Sequence, residues 1–473
     1  MGYLICILVY IAGIIIYGIM IGKKKVKTSD DFVVAGRQLP FFILIGTLLA
    51  SWCGGGGITG SASVVYMYGP WVGALHFAGA PIGMLLLYFI SSKVRSSTKI
   101  TVPEVFGARY GDVASIIAVV CIMLAYVGLC ATQIKAAGNI ISLITGMDAN
   151  LATVLSAVGI LFLTVSGGMI SVAYTDAVSA LMMVGGFLIA LPLLFAKAGG
   201  WAAAIASMPA EKMTMTGGLS VVAILGYMVP TISLLLGDQN MMQRFASAKS
   251  AEEAKKSNLG LFVAEVTVCI LIILMCTAGI ALYAGDNTLA IPSNVIFTLA
   301  VDCLPFVLGA VVLVACVAFI VTTADSYLLS AATNVTYDVW GRYIKKDADD
   351  RQKIRFMRVT IVVLTVLAVV LTLFFPTILS LQMTAYTMYG AAITPALLFA
   401  LFWKKVTPAG GIAGILTGGV VTVVWTMVLD SPYGIASAIV AVPAAVLMIV
   451  LVSALTGLNG GDSYVRLYEN SNK

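Results

Sequence analysis

Two threonines, an aspartate and a serine stand together in Phe319-Ile-Val-Thr-Thr-Ala-Asp-Ser326, inside a long apolar stretch. On a helix, Phe319, Thr322, Thr323 and Ser326 fall at i, i+3, i+4 and i+7, which is one face. Three hydroxyls on one stripe offer hard oxygen donors. With at most one carboxylate added they suit an alkali cation, and no His/Cys set for a transition metal accompanies them. A lone threonine would more simply bond its own i−4 carbonyl. The cluster favours a cation because a second feature faces it: Ala50-Ser-Trp-Cys-Gly-Gly-Gly-Gly-Ile-Thr-Gly60. Each glycine in a helix costs about 1 kcal/mol against alanine. Small-xxx-small spacing would satisfy close helix packing, and four glycines in a row exceed it. This run reads as a broken helix whose freed carbonyls face a polar cavity. It is not a phosphate loop, because it lacks the Lys-Ser/Thr ending and a preceding strand.

Other ionisable residues lie in apolar stretches, where their cost marks function by default. Asp176 opens the sixth such stretch, Asp325 is in the ninth, Glu265 in the eighth and Asp238 ends the seventh. Lys135, in the fourth, lies about ten residues, or ~15 Å, from its helix end. That is deep for snorkelling, so it reads as sensing a carboxylate or pairing with Glu265. His76, in the third, reads as a packing residue.

The elements that must position these groups are membrane helices. The 473 residues are 60% hydrophobic and 10% charged, with mean hydropathy +1.05, against about 25% charged in a soluble chain. The expectation is an all-α polytopic membrane protein with thirteen spans, at 3–21, 41–66, 71–92, 113–145, 149–166, 173–196, 219–236, 258–284, 305–338, 357–375, 377–402, 409–429 and 434–456. The first lacks a basic n-region and a cleavage site, so it reads as a true span. The ninth exceeds a bilayer and must tilt or extend into the cytoplasm. With the N-terminus outside and the C-terminus cytoplasmic, 24 of the 27 Lys and Arg fall on the cytoplasmic side, as the positive-inside rule requires. Lys197 and Lys212 fall outside, and Lys135 within a span.

The loops are short. Gly199–Gly218 has room for a short helix, Arg342–Met357 is a charged cytoplasmic linker, and Gly457–Lys473 is a polar tail. No soluble domain is present to hold a catalytic or nucleotide-binding module, so an enzyme is not expected. The net charge of +6 is spread over loops and implies no nucleic-acid partner. The eight cysteines show no paired spacing and read as small core residues.

Taken together, these residues resemble the sodium:solute symporter family, which shares the inverted-repeat fold of the bacterial leucine transporter. The resemblance covers nearly the whole chain. It rests on Asp31-Phe-Val-Val-Ala-Gly-Arg37, the broken second span, Val172-Ala-Tyr-Thr-Asp176, Gln243-Arg244 and Val321-Thr-Thr-Ala-Asp-Ser-Tyr-Leu-Leu329. It implies a single membrane domain: a first span and cytoplasmic loop at 1–36, two inverted five-helix repeats at 41–196 and 219–402, two extra spans within 409–456, and the tail. The seventh span, with Gly226 and Pro230, would be the broken partner of the second. The family's common sodium site maps onto Ala50, Cys53, Phe319, Thr322 and Thr323. A second site, for sodium or a proton, maps onto Asp176, Asp325 and Ser326.

The branch most similar in motif is that of the high-affinity choline transporters. A quaternary ammonium wants an aromatic cage. Trp52 matches one wall, but Met84, Leu129 and Asp238 stand at the others, so the branch resemblance does not carry choline with it. The expectation is sodium-driven import of a small polar organic solute at the cell membrane, with sodium as the coupling ion and no other cofactor. Substrate would sit beside Trp52, Gly54, Gly55, Gly56 and Gly57, with Leu129, Thr132, Gln133 and Tyr227 as walls. A proton-coupled symporter on the same fold, and a membrane sensor or channel, stay open as alternatives.

Overall fold

A computed structural model describes residues 2–25, 35–96, 101–166, 169–285, 288–461 and 463–464. The head of the Asp31–Arg37 motif (31–34) and the tail beyond 464 lie outside the described residues.

The principal helices are α1 (Gly2–Lys25), α2 (Phe41–Trp52), α3 (Gly56–Tyr68, opening on the π-helical turn Gly56–Ser61), α4 (Pro70–Ser96), α5 (Val102–Tyr110), α6 (Asp112–Thr145), α7 (Ala149–Ser166), α8 (Met169–Lys197), α9 (Val221–Gly237), α10 (Gln239–Ala246), α11 (Ala251–Leu282), α12 (Phe306–Thr333), α13 (Asp350–Thr372), α14 (Ile378–Ala392), α15 (Thr394–Phe402), α16 (Pro408–Val423) and α17 (Ser437–Leu455). Their ends follow local chemistry. Thr101, Ser220, Asp238, Ser250, Asp349, Thr377 and Thr407 each accept a backbone N–H of the first turn that they cap. Gly146 ends α6 in the left-handed conformation, at φ 71°, which glycine adopts without strain.

Among the described residues, ten helices are long and apolar enough to cross a membrane, and the bent pair α2–α3 makes eleven. At the other two of the thirteen expected positions stand apolar helices, Gly2–Gly18 and Ala149–Val165, that are shorter than the spanning ones. The ninth expected span is a continuous helical stretch, Phe306–Ile344. The charged linker after it is short, because α13 starts at Asp350. The Gly199–Gly218 loop contains the helix Trp201–Ala206 and a 3₁₀ turn, Ala210–Met213.

Burial sorts the bundle into centre and rim. The most apolar window of Phe306–Ile344 is 78% buried and that of Ile378–Phe402 is 83% buried, against 28% for α17. The chemistry-bearing residues of α12 therefore sit at the centre, packed between α6 and α8, with α2 alongside.

The break in the second span stands as read: α2 and α3 meet at 60°. The seventh differs. α9 runs unbroken through Gly226 and Pro230, and the interruption falls at Asp238 (φ −62°, ψ 112°). Gly226 instead lets Ala436 approach, since a Cβ there would lie 2.8 Å from the Ala436 methyl. The Thr231 hydroxyl donates to the Tyr227 carbonyl at 3.0 Å, beside Pro230, the kind of local back-bond that a serine or threonine makes in a helix. Glycine and proline mark weak points in a helix, but packing decides whether they yield.

Candidate functional site

The break at Cys53-Gly54 frees specific backbone groups, and each can be followed. In a regular helix the Gly54 N–H would bond the Ala50 carbonyl. Here it donates to the Trp52 carbonyl at 3.0 Å. The Ala50 carbonyl is thereby released, and it accepts from the Thr323 hydroxyl on α12 at 2.6 Å. The next N–H, Gly55, donates to Gln133 Oε1 of α6 at 2.5 Å. Thr323 and Gln133 crowd Gly54 so closely that a Cβ there would lie 2.6 Å from both side-chain oxygens. The glycine at this position is required by close approach as well as by the bend.

Of the five residues expected to hold sodium, the structure thus brings Ala50 and Thr323 into direct contact across the break. Cys53 caps α2 beside them. The Thr322 hydroxyl lies 3.4 Å from the carbonyl of Phe319 on its own helix. All five residues are buried.

The second expected site is arranged differently. Arg244 of α10 reaches into it. Its Nη2 donates to Ser326 Oγ at 2.6 Å and lies 3.6 Å from Asp176 Oδ2, with both side chains fully buried. Thr47 Oγ1 donates to Asp176 Oδ2 at 2.5 Å and accepts from Arg244 Nε at 3.0 Å. A guanidinium therefore occupies the place between Asp176 and Ser326. Asp325 is hydrogen-bonded to Thr164 of α7.

The expected substrate residues separate into two groups. Trp52 and Gly57 line a narrow cavity with Ser61, His76, Glu265, Gln382 and Tyr386. Gly56 packs against Gln382 of that wall, and the others are engaged elsewhere. Gln133 caps Gly55, and Thr132 Oγ1 donates to the Leu129 carbonyl at 2.6 Å. The Met84 carbonyl accepts from Asn258 Nδ2 at 2.7 Å. Asp238 accepts from the Tyr126 hydroxyl and caps α10 through the Asn240 N–H at 3.1 Å. Tyr227 packs edge-on to His76, with ring centroids 5.0 Å apart, behind the cavity wall.

Sequence reasoning passed over most of the cavity wall. Tyr386 lies over Trp52, centroids 5.7 Å apart and planes 29° from parallel, a second aromatic wall from a helix that no alignment to the cage positions had included. Glu265 accepts from the Trp52 indole at 3.2 Å and from the Cys269 thiol at 3.4 Å. Its charge inside a span was the available signal. The expected partner, Lys135, is elsewhere: its ammonium donates to the carbonyls of Phe375 and Pro376 at 2.5 and 3.3 Å. Those carbonyls end a loop before α14, so Lys135 reaches polar backbone rather than a carboxylate. His76, read as packing, bonds Ser61 Oγ through Nε2 at 2.8 Å and faces the cavity.

Comparison with known proteins gives a consistent set of relatives. The model of the sodium:solute symporter family matches residues 32–418. The sodium/proline symporter of Salmonella typhimurium is 26% identical over 448 residues, covering 89% of this chain and 87% of the relative. The human high affinity choline transporter 1 is 25% identical over 438 residues, covering 88% and 75%. Among solved structures, the substrate-bound outward-open state of a Na+-coupled sialic acid symporter superposes with TM-score 0.83 at 17% identity, over 96% of this chain and 98% of that one. A nucleobase-cation-symport-1 family transporter superposes with TM-score 0.61 at 13% identity, over 93% and 98%.

Proposed function

The chain belongs to the sodium:solute symporter family, and from that premise we propose that it imports a small polar organic solute by alternating access, with sodium binding between Ala50 and Thr323. The observation that carries the site is the 2.6 Å contact of the Thr323 hydroxyl with the released Ala50 carbonyl. Two oxygens are held together there by one hydrogen. A sodium ion bound by lone pairs of both oxygens would take the place of that hydrogen bond, the Thr323 hydroxyl keeping its proton and turning it away, with Cys53, Phe319 and Thr322 at hand to complete the shell. Binding would brace α12 against the broken span and fix Trp52 and Gly57 in the cavity wall. Coupling is reciprocal: sodium raises solute affinity by the factor that solute raises sodium affinity.

Arg244 supports a coupling ratio of one sodium per solute. Its guanidinium already supplies the cation between Asp176 and Ser326. At ~100 mV one sodium entering adds about 2.3 kcal/mol of driving force. The relatives are named for proline and choline; of the two, proline is the candidate here, since the aromatic cage that a quaternary ammonium wants is mostly missing. The competing reading places a proton on buried Asp325; uptake driven by a pH gradient without sodium would establish it.

The 60° bend in one half and the Asp238 interruption in the other support reading 41–196 and 219–402 as inverted repeats. The basic loops support an outside N-terminus. The test is uptake into proteoliposomes, with sodium or potassium outside and radiolabelled proline and choline. Sodium-dependent, electrogenic accumulation of either supports the reading. Equal uptake in both salts overturns it.

A further inference from the structure

Resting on the reading of the Trp52 cavity as the substrate site, we propose that the solute is a small organic cation bearing N–H bonds, a protonated primary or secondary amine, and that Glu265 is its anchor. Glu265 is 2% exposed. Its Oε1 accepts from the Trp52 indole and the Cys269 thiol, while Oε2, equally buried, has no hydrogen-bond partner among the described residues. Gln382 lines the same cavity, with its side-chain amide packed against Gly56 and Gly60. Its Nε2 donates to the Tyr386 hydroxyl at 3.0 Å, and its Oε1 has no partner among the described residues. Among the described residues, no Lys or Arg lines the cavity.

A buried carboxylate without a cation is among the most expensive groups a protein can hold, and inside a membrane span such groups are paired. Lys135 is committed to backbone carbonyls. Arg244 is committed to Ser326 and Asp176. His76, the one basic side chain in the cavity wall, is bonded to Ser61 through Nε2, and the positive charge proposed to satisfy Glu265 is the one that enters with the cavity's contents. The unmet carboxylate oxygen of Glu265 calls for a donor, which an ammonium with N–H bonds supplies and a quaternary ammonium does not. The paired rings of Trp52 and Tyr386 add an aromatic wall that attracts a cation. A neutral polyol would leave the carboxylate uncompensated. The cavity is narrow in this conformation, so the solute must be small or the wall must part at the Gly54 hinge.

The test is thermal unfolding of the purified full chain, titrated with NaCl against KCl at constant ionic strength. Pyrrolidinium, methylammonium, N,N-dimethylpyrrolidinium and tetrahydrofuran are added in turn. Pyrrolidinium or methylammonium is expected to lower the sodium concentration at half effect about fivefold or more. The quaternary ion should act less, and tetrahydrofuran, the neutral isostere of pyrrolidine, not at all. Glu265→Gln should lose the amine effect and keep the sodium response. The proposal is overturned if tetrahydrofuran matches pyrrolidinium, if the Gln variant still responds, or if neither amine acts while sodium does. That last result would leave a proton as the partner of Glu265. Should the Gln variant not fold, the comparison of the four solutes on the unaltered chain decides. A wild type blind to sodium but stabilised by the amines in KCl would sink the symport reading and keep the anchor.

Discussion

The Thr323 hydroxyl donates to the Ala50 carbonyl at 2.6 Å, joining residues 273 positions apart. This contact exists because the Gly54 N–H has turned away to Trp52. Removing the hydroxyl leaves a buried carbonyl unsatisfied, which costs about 1–3 kcal/mol, and removes one sodium ligand. Thr323→Ala is expected to raise the sodium concentration for half-maximal uptake by about tenfold or more, and Thr323→Ser to retain most of the wild-type affinity. Both are read from sodium-dependent uptake at saturating solute. Equal losses in the two variants would show that the site senses the methyl rather than the oxygen.

Gly54 and Gln133 hold the other side of the same break. A methyl at 54 would meet Thr323 Oγ1 and Gln133 Oε1 at 2.6 Å, and both are the oxygens that satisfy freed backbone groups. Gly54→Ala is expected to separate α2 from α12 and abolish coupling while the bundle still folds. Gln133→Leu leaves the Gly55 N–H without its acceptor, for a stability loss of about 1–3 kcal/mol. Size-exclusion profile and melting temperature report folding, and sodium-driven uptake reports coupling. Wild-type transport by Gly54→Ala would exclude a tight contact at this point in the cycle.

Asp238 tests the difference between a ligand and a cap. The sequence places it among cage positions; the structure has it accepting from Tyr126 and capping α10. Asp238→Ala should then lower stability, by about 1 kcal/mol for the cap and 1–3 kcal/mol for the stranded Tyr126 hydroxyl. The solute KM should stay within about twofold of wild type. A large rise in KM with unchanged melting temperature would return Asp238 to the substrate site.

What could be read from the sequence was whatever leaves a compositional mark. Four glycines in an apolar run forced a break because helix propensity is local, and the Thr-Thr-x-Asp-Ser stripe of α12 followed from helical periodicity. The groups that close the break were less legible. Gln133 and Arg244 act across tertiary distance, and nothing in their own neighbourhoods says which backbone N–H or carboxylate they will meet. Gly226 and Pro230 misled for the converse reason: both weaken a helix locally, yet α9 is held straight by its neighbours and gives way at Asp238, where a side chain can cap the next turn. Glu265 was visible as a charge in a span, but its companions in the cavity, Gln382 and Tyr386, are ordinary residues of an ordinary apolar helix.

Arg244 and Asp176 carry the sharpest consequence for coupling. Both are fully buried, with Nη2 and Oδ2 3.6 Å apart. Breaking a buried pair from one side costs about 3–5 kcal/mol, because a lone charge remains. Arg244→Gln should therefore lower the melting temperature steeply, and Arg244→Gln with Asp176→Asn should recover part of the loss, since neighbouring sites are not additive. A further result follows if the guanidinium stands in for a cation. In Arg244→Gln the carboxylate of Asp176 and the hydroxyls of Ser326 and Thr47 are left facing one another, a set of hard oxygens suited to sodium. The single variant should then be stabilised by NaCl over KCl by more than wild type is, and its sodium-to-solute ratio, measured from reversal potentials in proteoliposomes, should rise from one toward two. The double variant, with no carboxylate, should show neither effect. If Arg244→Gln is destabilised to the same extent in both salts, the pair is a structural clamp alone, and the one-sodium ratio loses its physical support.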